Sequence, residues 1–179
     1  MRENSLKILF VSAEVSPYSK TGGLGDVAGD LPKALRAKGV DIRVAMPKYG
    51  SIGTAQLASA RQVANFDVRL DWRVQNADIH ALDAHGNGDC VYFIGNDYYF
   101  NRENLYGYDD DYERFAFFTK AAIEMLAHIG FKADIVHFND WHSALGPTYL
   151  RDIYGGFTFY QPMKSLLTIH NLNYQGVFG

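Results

Sequence analysis

Residues 7–47, KILFVSAEVSPYSKTGGLGDVAGDLPKALRAKGVDIRVAMP, decide how the rest of the chain is read. Residues 7–12 are a short apolar run with β-branched members, the pattern of a strand buried in a parallel sheet. From Gly25 onward the period changes, because Val27, Ala28, Leu31, Ala34 and Leu35 recur at helical spacing and form one face. Pro32 removes one ladder N–H and predicts a kink. Gly39 closes the helix and residues 41–47 return to an extended run, which completes a strand, a long Gly-rich loop, a helix and a second strand.

The loop carries the chemistry. Lys20-Thr21-Gly22-Gly23-Leu24-Gly25-Asp26 sets glycines before a helix N-terminus, where unpaired N–H groups and about half a unit of positive macrodipole charge favour an anion. Glycine lets backbone approach a phosphate with no Cβ in the way, and Lys20 adds a mobile point charge. A tight strand-to-helix turn beside a solvated lysine fits the same residues, because short Gly-rich patterns recur by chance.

Composition bounds the rest. A length of 179 residues, 47% of them apolar, supports one domain with a sizeable core. The net charge of −3, with both signs spread along the chain and no basic tract, argues against nucleic acid as the main partner. Cys90 is the only cysteine, which excludes an internal disulfide and suits a reducing compartment. The N-terminal apolar run is too short for a signal peptide or a membrane span, so a cytoplasmic chain with no membrane partner is expected.

Beyond the first unit, residues 48–59 read as irregular. Residues 61–70, 72–83 and 90–94 read as extended, with a turn at residues 84–88, and together predict an antiparallel insertion or sheet edge. Residues 96–108 form an aromatic-rich loop that could stack on a sugar or pack onto the core. Asp109-Asp110-Asp111 precedes a helix with Tyr112, Phe115, Thr119, Ala122, Leu126 and Ile129 on one stripe, and suits a helix cap better than a metal. Residues 135–138 read as a third buried strand, a helix follows from about residue 142 to 154, and residues 164–169 read as a fourth strand.

Two of these strands end in polar residues, Asn139-Asp140-Trp141-His142 and His170-Asn171. Open α/β sheets bind ligands at the carboxyl ends of their strands, so Asp140, His142, His170 and Asn171 are expected to line one crevice with the Gly-rich loop. Taken singly, Asp140 reads as an N-cap, His142 as a first-turn residue and His170 as a core imidazole. A metal shared by His137, Asp140 and His142 is disfavoured, because alternation puts His137 on a strand face while the others lie beyond the strand end.

Three function classes fit: a nucleotide-sugar transferase, an NAD(P)-binding oxidoreductase, and a non-catalytic sugar-nucleotide-binding module. Against the second, the glycines come about ten residues after Ser12 where a dinucleotide fingerprint needs them at the strand end, and Met46-Pro47-Lys48 lacks the ribose-binding acid.

The residues also carry a resemblance. KTGGLGDV at residues 20–27, YGYDDDYERF at 106–115, HFNDWHSAL at 137–145 and TIHNLNYQG at 168–176 resemble, in order, motifs of bacterial glycogen synthases and plant starch synthases. That resemblance implies an α/β fold, a Rossmann-like parallel sheet flanked by helices, forming the N-terminal half of a two-domain glycosyltransferase of the GT-B type. It implies transfer of glucose from ADP-glucose to the non-reducing end of an α-1,4-glucan, with retention, no metal and no cofactor. By the same resemblance His170 and Asp140 are the catalytic positions. Lys20, Gly22, Gly23, Asp26, Tyr99, Asn139, His142, Asn171 and Gln175 are substrate-binding positions, with Lys20 and the glycines on the donor's phosphates. Asp110 and Asp111 depart from the Asp-Asn pair of part of the family. Residues 1–179 are then expected to be a truncated N-terminal catalytic domain. The partners are ADP-glucose, a glucan acceptor and the missing C-terminal nucleotide-binding domain, without which the chain is expected to be inactive.

Overall fold

The computed structural model describes residues 5–83 and 90–177. In chain order the elements are β1 (Lys7–Val11), α1 (Gly23–Ala37), β2 (Asp41–Pro47), α2 (Thr54–Leu57), β3 (Arg61–Leu70), β4 (Arg73–Asp83), β5 (Cys90–Gly95), α3 (Asp97–Phe100), α4 (Asp111–His128), β6 (Ile135–Asn139), α5 (Gly146–Thr148) and β7 (Lys164–Thr168). The strands form one seven-stranded sheet in the order β3-β4-β5-β2-β1-β6-β7. β5, β2, β1, β6 and β7 run parallel, and β3 and β4 add an antiparallel edge. The expected parallel α/β sheet is present.

Parallel strands need cover on both faces, and the central ones are apolar on both. Leu9, Phe10 and Val11 of β1, Ala45 and Met46 of β2, and Val136 and Phe138 of β6 are all fully buried. α1 packs against β2, and α4 packs across β2, β3, β4 and β5. The expected antiparallel edge is present, with β3 on β4 and β4 on β5. β5 also joins this edge to the parallel sheet, pairing parallel with β2, with Val44 opposite Val91 and Met46 opposite Phe93. The expected turn at 84–88, between β4 and β5, lies outside the described residues.

Three local departures have physical causes. On α1 the packed residues are Leu24, Gly25, Ala28, Gly29 and Pro32, while Val27 faces out, and the helix runs through Pro32 as one element. α4 is buried nearly all round rather than along one stripe: Phe117, Phe118, Ile123 and Met125 join Phe115, Ala122 and Leu126 inside, and Tyr112 is exposed. The single helix expected from residue 142 to 154 is instead a 3₁₀ turn at Trp141–Ser143, the short α5, and a wide turn at Tyr149–Ile153. The Phe138 ring occupies the space a Cβ at Gly146 would need, so strand and turn pack too closely for another residue there.

Candidate active site

β1 ends at Val11, and the loop that follows is folded around one buried carboxylate. Glu14, 4% exposed, accepts hydrogen bonds from the Thr21 N–H (2.6 Å), the Gly22 N–H (3.1 Å), the Thr21 hydroxyl (2.9 Å) and the Tyr106 hydroxyl (2.8 Å). A buried carboxylate is expensive unless its lone pairs are filled, and these four neutral donors fill them. The sequence points to unpaired N–H groups where the Gly-rich loop meets the helix as donors to an anion. The structure commits those of Thr21 and Gly22 to Glu14, so donors at the start of α1, from Gly23 onward, are what a ligand could use.

The glycines of this loop divide into two kinds. An ideal Cβ on Gly25 would collide with the Cβ of Lys20, and one on Gly29 would lie 2.7 Å from the Ser16 carbonyl oxygen, so both are glycine because chain packs against chain. At Gly22 and Gly23 a Cβ would meet nothing within 4 Å, and Gly22 is extended with φ −154°. Neither packing nor a left-handed backbone requires glycine there. Lys20 lies beside them, its ammonium 2.7 Å from Asp26 with both side chains about half exposed. Such an exposed pair contributes roughly 0–1 kcal/mol, so Lys20 can exchange Asp26 for a stronger anion at small cost.

At the other strand ends, Asn139 ties three elements together. Its amide nitrogen donates to the carbonyls of Val11 (3.0 Å) and His137 (3.2 Å), which leaves its oxygen to accept from His170 Nε2 at 3.0 Å. That arrangement puts a proton on Nε2 of His170. Asp140 follows with φ 55° and ψ −175°, a conformation that costs a non-glycine residue about 1–3 kcal/mol. Three bonds hold it there: its N–H donates to the Thr168 carbonyl (2.9 Å), its carbonyl accepts from the Ser143 N–H (3.2 Å), and its carboxylate accepts from the His170 N–H (2.7 Å). The sharp turn at Asp140 thereby fixes His170 after β7 against the end of β6.

His142 lies beneath this surface. Its ring, 6% exposed, sits 4.0 Å from Trp141, 4.6 Å from Tyr106 and 4.8 Å from Phe115 between centroids, and neither nitrogen has a hydrogen-bond partner among the described residues. Burial, with a smaller contribution from Arg114, drives its pKa down to about 3, so the imidazole is neutral and does no proton transfer near pH 7. Burial also raises the pKa of the Tyr106 phenol, which stays protonated as a donor to Glu14.

The structure does not bring Tyr99 to this place. Its ring is fully buried against Phe100 and Phe117, and its hydroxyl donates to Glu113, which also receives the Trp72 indole N–H at 2.9 Å and Arg73 at 3.1 Å. Tyr99 and Phe100 thus pack onto the core, one of the two readings of the aromatic loop, while Tyr98 stays exposed. Asn171 and Gln175 lie on the exposed segment after β7, where Asn171 caps the Asn173 N–H (2.9 Å) and Gln175 donates to the Leu172 carbonyl (2.8 Å). Gly176, at φ +63°, backs onto Trp141, where a Cβ would lie 2.6 Å from the indole.

The acids before α4 act as braces rather than ligands. Asp110 grips Arg102 through two bonds of 2.6 Å, which pulls its carboxyl below the usual range, and Asp111 accepts the Gly107 N–H at 2.7 Å while pairing with the buried Arg114. Among the described residues no group of three or more His, Cys, Asp or Glu is placed to hold a metal, and no helix is long and apolar enough to cross a membrane. Sequence reasoning does not single out Glu14 or Tyr106. The only signals are an acid inside an otherwise apolar run and one tyrosine among several.

Comparisons with known proteins show the family. A family described as "Starch synthase catalytic domain" matches residues 7–179. The chain is 47% identical over 173 residues to a "Glycogen synthase" of Caldicellulosiruptor saccharolyticus, and 45% identical over 177 residues to a "Glycogen synthase" of Clostridioides difficile. Each match covers 97% of this chain and 36% of the relative, so the chain spans about a third of the length of these proteins. Among solved structures, the catalytic domain of starch synthase IV from Arabidopsis thaliana, bound to ADP and acarbose, superposes with a TM-score of 0.83 at 31% identity, over 97% of this chain and 35% of that one.

Proposed function

We propose, since this chain belongs to the starch synthase catalytic domain family, that it forms the donor-side wall of a glucosyltransferase. The reaction moves glucose from ADP-glucose to the non-reducing end of an α-1,4-glucan with retention at the anomeric carbon. In this reading residues 1–179 are the N-terminal part of a longer cytoplasmic enzyme, and a C-terminal domain closes the site and supplies the base pocket. The share of each relative that the chain covers, and the ADP and acarbose on the starch synthase IV domain, support it.

The observation that carries the reading is convergence. Asn139 bonds the end of β1 to the imidazole that follows β7, and the Gly-rich loop rises from the same end of β1. A diphosphate held by Lys20 and the first free N–H groups of α1 would then lie beside Asp140, His170 and Asn171, which face the attached hexose.

Chemically such a site asks for no general base. The hard step is parting the anomeric carbon from a diphosphate, and donors aimed at the leaving group stabilise the charge as it develops. The departing phosphate can accept the proton of the attacking hydroxyl. Neutral, buried His142 offers no competing base, and the polar tips of β6 and β7 solvate a sugar that gains oxocarbenium character. Calorimetric titration separates this reading from an oxidoreductase: ADP is expected to bind and NAD is not. NAD binding in preference to ADP would overturn it. A companion assay follows radiolabelled glucose onto maltooligosaccharide, using this chain joined to the remaining sequence of the Caldicellulosiruptor saccharolyticus glycogen synthase. Turnover is expected in the joined protein and none in the isolated chain.

A further inference from the structure

The geometry points to Glu14 as the positioning residue of the proposed donor site: its carboxylate holds the Lys20–Gly25 loop in the shape that receives a nucleoside diphosphate. This deepens the function proposed above and rests on it. Glu14 leaves β1 side by side with the loop, and the Ser12 hydroxyl donates to its carbonyl at 2.6 Å, which fixes where the side chain starts. One carboxylate oxygen takes both backbone donors, Thr21 and Gly22; the other takes both hydroxyls, Thr21 and Tyr106. The side chain is thus an internal anion in the first half of an anion-binding loop. It consumes two N–H groups that would otherwise vary in direction, and leaves Gly23, Leu24 and Gly25 as the donors at the helix start.

The same carboxylate joins the loop to the far side of the site. Tyr106, which donates to it, lies 4.6 Å from the His142 ring, and His142 stacks on Trp141 at 4.0 Å. Loop position and the β6 end are therefore set by one network. Gly25 makes the role specific, because its missing Cβ lets Lys20 pass over the helix start, and a Cβ there would also lie 3.5 Å from the Glu14 carboxylate. Glu14 touches no ligand in this account. Its part is to present Lys20 and the N–H groups of Gly23, Leu24 and Gly25.

A positioning role differs from a charged contact in what a glutamine does. In Glu14→Gln the remaining oxygen can accept both backbone N–H groups, and the new amide can donate to the Thr21 and Tyr106 hydroxyls, which turn to accept. Glu14→Ala removes all four bonds. The test is ¹⁵N NMR of the full chain with ADP as the probe, beside amide hydrogen exchange without it. In Glu14→Ala, exchange at Thr21 and Gly22 is expected to quicken about tenfold or more and the Kd for ADP to rise about tenfold, with a dispersed spectrum retained. Glu14→Gln is expected to stay within about threefold of wild type in both. Should Glu14→Ala lose its dispersed spectrum, Thr21→Val deletes one donor without changing shape, and changes of about threefold in the same two readouts are then expected.

Unchanged exchange in Glu14→Ala would overturn the inference whether or not ADP binds. Equal loss of ADP affinity in Glu14→Gln and Glu14→Ala would overturn it as well, by showing that the charge itself is needed. Failure of the underlying function looks different: ADP then leaves every amide of wild type unmoved and Lys20→Ala changes nothing, while the exchange effect of Glu14→Ala persists.

Discussion

The lip of the site and its floor are built from the same residue types for opposite reasons. Gly22 and Gly23 on the lip have open space where a side chain would go, and Lys20 beside them is half exposed with one weak partner. Gly25 and Gly29 on the floor are pressed against Lys20 and Ser16, and His142 is sealed among three aromatic rings. Emptiness at the lip is what a ligand could use; fullness at the floor is what holds the lip in place. Substitutions should therefore separate cleanly, with the lip changing binding and the floor changing stability.

The sharpest division is expected at Lys20. In the joined two-domain protein, Lys20→Ala should lower the transfer rate by about a hundredfold or more while leaving the melting temperature unchanged, because Lys20 pairs with the exposed Asp26 at the surface. A large loss of stability would move Lys20 to the floor. His142 supplies the next largest effect, through acid. Its ordinary pKa of 6.5 falls to about 3 in the fold, so between those values the unfolded chain takes up a proton that the folded chain refuses. The stabilisation is present in full above pH 6.5 and is lost as pH falls towards 3. Denaturant unfolding from pH 7 to 4 should show this decline, and His142→Phe should flatten it; the same slope in both would contradict the assignment.

Smaller effects are expected at the glycines. Gly29→Ala and Gly25→Ala force a methyl against packed chain, and each should cost about 1–3 kcal/mol in urea unfolding. Gly22→Ala and Gly23→Ala should change stability by no more than about 0.5 kcal/mol, yet weaken ADP binding in calorimetry by crowding the phosphates. If the two pairs behaved alike, the distinction between lip and floor would fail.

What was legible in the sequence follows the same line. The strands β1, β2 and β6 are readable because apolar runs bounded by glycine or polar residues admit few alternatives, and the polar residues that end two of the strands are what point to a site there. The antiparallel pairing of β5 with β4 is legible in the sequence, but its second, parallel partner β2 is not, because a short apolar strand carries no mark of what lies on its other edge. The helix after residue 142 was overextended because helical spacing does not register a strained turn at Asp140 or the contact of Phe138 with Gly146. Tyr99 and Tyr106 are the plainest case. Both are tyrosines in one aromatic loop, and only the fold shows that one hydroxyl meets Glu113 in the core while the other meets Glu14 beneath the loop. Glu14 is not legible because its partners are backbone groups seven and eight residues away and a tyrosine ninety-two residues on, and although these lie in quoted motifs, nothing in the sequence says that they meet one carboxylate.

The most direct measurement is a crystal structure of the joined two-domain protein with ADP. The account predicts diphosphate oxygens within hydrogen-bonding distance of the Lys20 ammonium and the Gly23 N–H, with Lys20 released from Asp26 and Glu14 still bonded to Thr21 and Gly22. A diphosphate bound elsewhere, with the Lys20–Asp26 pair intact and the space over Gly22 and Gly23 empty, would contradict it.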